Sequence, residues 1–407
     1  MRRFLAVIFL AAACAPRGGV PTPRPDALGP PSIILISIDG FRADYLDRHV
    51  MPVLDSLAAA GVRARWMEPS FPSKTFPNHY TIVTGLRPDH HGIVANNIHD
   101  AQLGSFSMSN RAAVQDARWW GGEPIWVTAA KAGRTTSAMF WPGSEAPIEG
   151  IHATHWMPFD NAVSLAARVD STLHWMDVPA SERPAILTLY ASPVDNAGHH
   201  IGPASPAISD SMRAVDAMLR RLVDGLHARH LGQAVNIIIV SDHGMAPTGP
   251  DRVIALDDYI SLDDVVVNDW GPVTMLAPKP GKEQLVYNAL KGANPAFDVY
   301  WSREVPARFA FGTNPRIGSI VGIAAEGWTV TSRAGIDRVM PGGNHGFDNA
   351  LPSMRAIFIA SGPAFRRGAV VAPFANIHVY DLMAHILGLT PAPNDGSLDS
   401  VRTVLAR

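Results

Sequence analysis

Ile33-Ile34-Leu35-Ile36-Ser37-Ile38-Asp39-Gly40 is the stretch on which the fold turns. An aliphatic, largely β-branched run of strand length that stops at a polar turn suits a strand buried on both faces of a parallel sheet. Two later segments repeat the pattern. Ala185-Ile186-Leu187-Thr188-Leu189-Tyr190 leads to Asp195 and His199, and Asn236-Ile237-Ile238-Ile239-Val240 ends at Ser241-Asp242-His243-Gly244. Between them, Met212, Val215, Leu219, Leu222 and Leu226 step by three and four, the stripe of an amphipathic helix. A shorter helix is expected over Val53 to Ala60, closed by Gly61. Strands alternating with helices indicate an α/β domain, whose ligands gather at the carboxyl ends of the strands. All three runs deliver Asp or His there.

The rest of the chain fits one large catalytic domain over residues 32–407. From about residue 262 to 331 the pattern loosens into Pro and Gly punctuation, which reads as a smaller inserted lobe. The strand Arg355 to Ala360 then returns to the sheet. With 47% hydrophobic and 17% charged residues, 10 Trp and a mean hydropathy of +0.06, the chain cannot be a disordered solvating protein. Its 34 Lys and Arg against 36 Asp and Glu offer no basic stripe for sequence-specific nucleic-acid binding. A single Cys excludes an intrachain disulfide framework and a zinc–thiolate cluster. With 16 His present, any metal is held by imidazole and carboxylate.

The N-terminus carries an address. Arg2 and Arg3 precede an apolar run from Phe4 to Ala13, too short to span a bilayer and suited to a signal peptide over residues 1–13. Cys14 follows at the place where a bacterial lipoprotein is cleaved and acylated, and residues 14–31 form a Pro-rich tether. The expected location is exported, periplasmic or cell envelope, with Cys14 as a lipid anchor; ordinary cleavage after the small Ala residues is the alternative. No obligate protein partner is implied.

The candidates for chemistry, in chain order, are Asp39, Thr75, Asn96, Asp195, His199, Asp242, His243 and His345. Three Asp and three His form a ligand set suited to two zinc ions. Asp195 and His199 are four apart, so a tight Gly-containing turn would bring both to one ion. Asp242 and His243 diverge if their strand continues and meet if it turns. Singly, each has an ordinary explanation: an Asp after a strand caps a helix, and a His-Gly pair sits in a loop. A Thr hydroxyl is a poor nucleophile at neutral pH unless a metal stabilises its alkoxide. Thr75 would equally serve as a helix N-cap, which also wants an exposed oxygen.

Taken together, Ile38-Asp39-Gly40-Phe41-Arg42, Lys74-Thr75-Phe76-Pro77-Asn78-His79-Tyr80, Gly92-Ile93-Val94-Ala95-Asn96-Asn97, Trp119-Trp120-Gly121-Gly122-Glu123-Pro124-Ile125-Trp126, Ser241-Asp242-His243-Gly244-Met245 and Asn344-His345-Gly346-Phe347-Asp348-Asn349 resemble the nucleotide pyrophosphatase/phosphodiesterase family of the alkaline phosphatase superfamily. The likeness runs from about residue 32 to Gly396. It implies an alkaline phosphatase-like, mostly parallel sheet flanked by helices. It also implies one zinc held by Asp195, His199 and His345, and a second by Asp39, Asp242 and His243 with the Thr75 oxygen. Thr75 would be the nucleophile and Asn96 a donor to the phosphoryl oxygen. Phe76 and Tyr190 would hold the base of a small-molecule nucleotide diester or pyrophosphate. The segment between Tyr190 and Asp195, Ala191-Ser192-Pro193-Val194, departs from the family's acidic pattern.

The implied reaction is hydrolysis through a covalent phosphothreonine, releasing a nucleoside monophosphate. A phospholipid or phosphonate hydrolase on the same scaffold is the alternative. A sulfatase is disfavoured because Thr stands where that relative needs Cys or Ser, and a nucleotide-binding lipoprotein without turnover would have no use for Thr75. His79 is expected to orient the nucleophile turn and Lys74 to be structural or solvated. His200 falls outside the ligand spacing, and His49, His90, His91, His152, His155 and His378 belong to structure or surface.

Overall fold

The computed structural model describes residues 29–406; the expected signal segment, Cys14 and nearly all of the Pro-rich stretch lie outside the described residues. The central sheet uses β1 (Ser32–Ile38), β2 (Val62–Ala64), β3 (Thr136–Met139), β4 (His155–Trp156), β5 (Ile186–Ala191) and β6 (Val235–Val240). After a four-stranded insertion, β7 (Val265–Asp269), β8 (Val273–Pro278), β9 (Phe297–Trp301) and β10 (Ile320–Ala324), it is completed by β11 (Phe358–Ser361) and β12 (Ala369–Val371). Across the sheet the order is β12-β2-β11-β6-β1-β5-β3-β4. β1 lies between β5 and β6, parallel to both. Only β11 runs antiparallel, against β6 on one side and β2 on the other. The α/β expectation holds, with a mixed and mostly parallel sheet.

Alternation along β1 explains the layers. Ile33 and Leu35 join the core on one face, while Ile34, Ile36 and Ile38 join the core on the other. Each fully buried aliphatic side chain contributes on the order of 2 kcal/mol, which is why a strand covered on both sides is nearly all apolar. Helices α1 (Pro52–Ala60), α3 (Leu165–His174) and α5 (Ile208–Ala228) cover the second face, and α2 (Thr75–Thr84) and α6 (Val379–Leu387) the first. Helix α4 (Pro193–Ile201) follows β5 directly. The predicted stripe Met212, Val215, Leu219, Leu222 and Leu226 is buried along α5.

Gly61 does end α1, but not in the left-handed conformation. Its φ is −109°, and its amide bonds to the Leu57 carbonyl. Space is what requires glycine here: a Cβ would stand 2.1 Å from the Ala360 carbonyl oxygen of β11.

Within residues 262–331 the chain forms an antiparallel sheet ordered β7-β8-β10-β9. One face, with Val273, Met275, Val321 and Ile323, packs into the main core, and the other, with Val265, Leu276, Val299 and Ile320, has its own cluster. The insertion is therefore welded to the catalytic body by one of its faces.

Candidate metal centre and active site

Five of the six candidate ligands stand where a strand of the central sheet ends or in the helix that follows it. Asp39 follows β1, Asp195 lies in the first turn of α4 after β5, and Asp242 and His243 follow β6. His345 follows the short strand Gly342–Asn344, which pairs with Ala246–Thr248 and so returns the chain to the β6 turn. Thr75 is the first residue of α2. Segments 306 residues apart in sequence therefore meet at one edge.

Three imidazoles are prepared in the same way. Nδ1 of His199 donates to the Gly343 carbonyl at 2.8 Å, Nδ1 of His243 to Gly244 at 2.8 Å, and Nδ1 of His345 to Ser73 at 3.0 Å. Carbonyl oxygens only accept, so Nδ1 carries the proton in each ring and Nε2 presents a bare lone pair, the tautomer a metal requires. Those Nε2 atoms face carboxylates: His199 is 3.5 Å and His345 3.8 Å from Asp195 Oδ1, and His243 is 3.0 Å from Asp242 Oδ2 and 3.5 Å from Asp39 Oδ1.

The carboxylates are prepared too. Tyr190 donates its hydroxyl to Asp39 Oδ2 at 2.5 Å, and the Gly40 amide donates to Asp242 Oδ1 at 3.2 Å. Asp39 Oδ1, Asp242 Oδ2 and Asp195 Oδ1 are buried with no hydrogen-bond partner. Buried acceptors left unmatched are costly unless something positive sits among them. Asp195, His199 and His345 form one candidate ligand group, and Asp39 with Asp195 and His243 another. All donors are N and O, which suits a divalent transition ion such as zinc.

Electrostatics carry the same message. Burial, then the charges of Asp242 and Asp195, pushes the Asp39 carboxyl well above its usual range. Burial likewise raises Asp195. Burial also opposes ionisation of Asp242, but in the metal-free fold the charge taken up by His243, together with His79, outweighs it and holds that carboxyl low. Asp242 in turn raises the pKa of His243 against burial, and a metal would take the place of that proton on His243. His345 is kept neutral by burial and by His243 and His199. Two of the three crowded carboxyls, Asp39 and Asp195, thus resist ionising when no cation stands among them.

The sequence spacing is realised differently from expectation in one place. Asp195 and His199 do not meet through a tight turn; they sit one helical turn apart on the same face of α4. Gly198 between them is helical, and a Cβ there would lie 2.9 Å from Met245 Cε. Asp242 and His243, by contrast, do converge, because the chain leaves β6 in a turn.

Thr75 Oγ1 is 3.2 Å from His243 Nε2, at the floor of the ligand cluster. Asn96 accepts the Phe76 backbone N–H on Oδ1 at 3.0 Å, which orients its amide and leaves Nδ2 as the donor. His79 is fully buried. Its Nδ1 donates to the Thr75 carbonyl at 2.8 Å, so its Nε2 accepts from Ser37 at 2.7 Å, leaving no lone pair for a metal despite its place beside Asp242. Lys74 is buried against the insertion, paired with Asp269.

A cavity of about 330 Å³ opens from Asp39, Thr75 and Asp195 and is walled by Phe76, Phe159 and Tyr190, with Arg111 and Glu145 among its polar lining. Phe76 is braced edge-on by Phe106 at 5.8 Å. Phe159, 38% exposed, meets Phe140 at 5.3 Å and is an aromatic wall that sequence reading passed over. The Met157-Pro158-Phe159-Asp160 loop carries no periodic signal that would have marked it. His200 bonds Asn196 on an exposed flank, and His91 is buried against Thr81; neither enters the cluster.

The type I phosphodiesterase/nucleotide pyrophosphatase model matches residues 33–348. A pyrophosphatase/phosphodiesterase of Schizosaccharomyces pombe is 39% identical over 383 residues, covering 90% of this chain and 79% of the relative. Human ectonucleotide pyrophosphatase/phosphodiesterase family member 5 is 38% identical over 375 residues, 92% and 78% of the two chains. The chain spans about half the length of some relatives, including a Crotalus durissus collilineatus venom phosphodiesterase, 38% identical over 96% of this chain and 48% of its own. Murine member 5, solved as an inactive threonine-to-alanine variant with AMP, superposes with a TM-score of 0.88 at 36% identity, covering 92% of this chain and all of that one. The chain belongs to the type I phosphodiesterase/nucleotide pyrophosphatase family, a family of hydrolases.

Proposed function

We propose that the protein is an exported, two-zinc phosphodiesterase that cleaves nucleotide diesters or pyrophosphates through Thr75 and releases a nucleoside monophosphate. One observation carries the reading: three unpartnered carboxylate oxygens and three imidazole nitrogens with bare lone pairs converge beside the Thr75 hydroxyl at the floor of an aromatic cavity. The AMP complex of the murine relative supports a nucleotide as ligand.

Asp195, His199 and His345 would hold one ion, and Asp39, Asp242 and His243, with Thr75 Oγ1, the other. Bound there, the ions supply the positive charge that favours a threonine alkoxide, neutralises the phosphoryl oxygens and acidifies a water. The chain's own residues do the rest. Thr75 Oγ1 forms a bond to phosphorus as the bond to the leaving oxygen breaks, and the leaving group departs with the electron pair. Water then cleaves the threonine ester, returning the hydroxyl and freeing the monophosphate. Asn96 Nδ2 donates to a non-bridging oxygen, and Thr75 sits at the N-terminus of α2, where the helix dipole favours an anion. Phe76 and Phe159 offer faces to the base; Tyr190 lines the same wall while its hydroxyl steadies Asp39.

The deciding assay compares a nucleotide diester, a base-free aryl diester, a monoester and a phospholipid diester, with and without chelator, beside Thr75→Ala. Diester turnover abolished by both chelation and the substitution is expected. Activity retained in Thr75→Ala sinks the covalent route, and preference for the monoester or the phospholipid sinks the substrate class. For export, labelled fatty acid should appear on the wild type and not on Cys14→Ser; equal labelling rejects the anchor. Among the described residues no helix is long and apolar enough to cross a membrane.

A further inference from the structure

Asp269 ends β7 of the inserted sheet, at a shift in its register with β8, and its side chain is 4% exposed. One carboxylate oxygen pairs with the Lys74 ammonium. The other accepts from Asn97 Nδ2 at 3.0 Å and from the Trp270 amide at 3.1 Å. Lys74 immediately precedes Thr75, and Asn97 immediately follows Asn96. The Lys74 ammonium also donates to the Trp270 carbonyl at 3.3 Å. Its stem lies over Gly346, where φ is +107° and a Cβ would stand 3.0 Å from Lys74 Cε. That places the same side chain against the residue after His345. One buried carboxylate from the insertion thus grips the chain neighbours of two residues that act on phosphorus, and reaches a third segment of the site through Lys74.

We propose that Asp269 is a positioning residue, fixing Thr75 Oγ1 and Asn96 Nδ2 relative to one another from the inserted lobe. The inference rests on the reading of Thr75 and Asn96 given above. A buried ion pair is a weak device for stability alone, since apolar residues of similar volume do as well. It is a strong device for registry: both partners are directional, and here each sits one peptide unit from a reacting group. Misplacement by an ångström suffices for a loss of up to about 100-fold in rate.

The test uses metal-loaded enzyme and the base-free aryl diester, with kcat expressed per metal-loaded site. Asn97→Ala removes one arm of the clamp without burying a charge, since Asn97 is exposed. It should lower kcat by about 3- to 10-fold with KM within about twofold and the melting temperature unchanged. Asp269→Asn should cost about 10-fold or more. In an Asn96→Ala background the Asn97→Ala loss should shrink to under about twofold, because the arm acts through Asn96. Equal losses in both backgrounds, unchanged kcat, or a loss that follows only metal content or melting temperature would overturn the proposal. If Asp269→Asn does not fold, the Asn97→Ala cycle decides alone. Thr75→Ala separates the two ideas. Activity kept there removes the nucleophile reading and this inference with it, whereas an inactive Thr75→Ala beside a fully active Asn97→Ala removes this inference only.

Discussion

Tyr190 and Phe159 show how two aromatic rings in one wall can do different work. Tyr190 spends its hydroxyl on Asp39, so Tyr190→Phe should loosen metal binding by about 10-fold while leaving the ratio of nucleotide to aryl-diester KM unchanged. Phe159→Ala should do the reverse. A lost stacking face is worth about 1–3 kcal/mol, so nucleotide KM should rise about 5- to 150-fold with aryl-diester kinetics spared. Titrating metal and measuring both KM values separates them, and identical behaviour of the two variants contradicts the division. His91 supports a different forecast. Its Nδ1 accepts the Ile93 amide at 3.1 Å, and burial pushes its pKa down to about 3. A base whose pKa is lowered on folding stabilises the native state above its ordinary value near 6.5, and that contribution is lost as pH falls from there toward about 3. His91→Asn keeps an acceptor for Ile93 and removes the titration, so its melting temperature should fall less steeply with acid than the wild type's; parallel curves refute this. The Asp and His residues that the fold gathers were legible in sequence because each carries its own punctuation, Asp-Gly, His-Gly or Asp-x-x-x-His, most of them after an aliphatic run. Asp269 and Phe159 were not. Asn268-Asp269-Trp270-Gly271 looks like any turn, and its meaning lies in contacts with residues some 170 to 195 positions away.

Elements were legible to the extent that their periodicity was local. The runs at 33–38, 185–190 and 236–240 and the stripe on α5 all became the elements their patterns imply. Where neighbours decide, local reasoning misassigned the cause. The Asp195–His199 segment is a helix because Pro193 starts it and its apolar side packs against the body, which four residues of sequence do not reveal. Gly61 resembles a C-cap but is a contact point between α1 and β11. With backbone only 2.1 Å from where a methyl would be, Gly61→Ala forces α1 and the sheet apart and should cost on the order of 1–3 kcal/mol. Denaturant unfolding measures it, and a neutral result means the strand end yields more easily than its burial implies.

At the scale of the whole molecule, the proposed metal centre would link occupancy to stability. If Asp39, Asp195 and Asp242 hold ions as proposed, chelation would leave their carboxyls crowded together and should lower the melting temperature by several degrees. Asp39 and Asp195 have raised values in the metal-free fold, so their stabilisation is fully present only below the ordinary carboxylate range and is lost as pH rises through the raised values. Metal binding also tightens as ligands lose protons. The gap between loaded and stripped protein should therefore widen as pH rises above the ordinary carboxylate range, by calorimetry; a constant or narrowing gap contradicts the assignment. The antiparallel β11 has a consequence for synthesis. It lies between β6 and β2, so β2 and β12 reach the rest of the sheet only through it. A nascent chain therefore holds an unclosed sheet until residue 361 has left the ribosome tunnel. By then every candidate site residue has been made, and the edge of β6, complete at residue 240, has stayed open over about 120 further residues for a chaperone to shield.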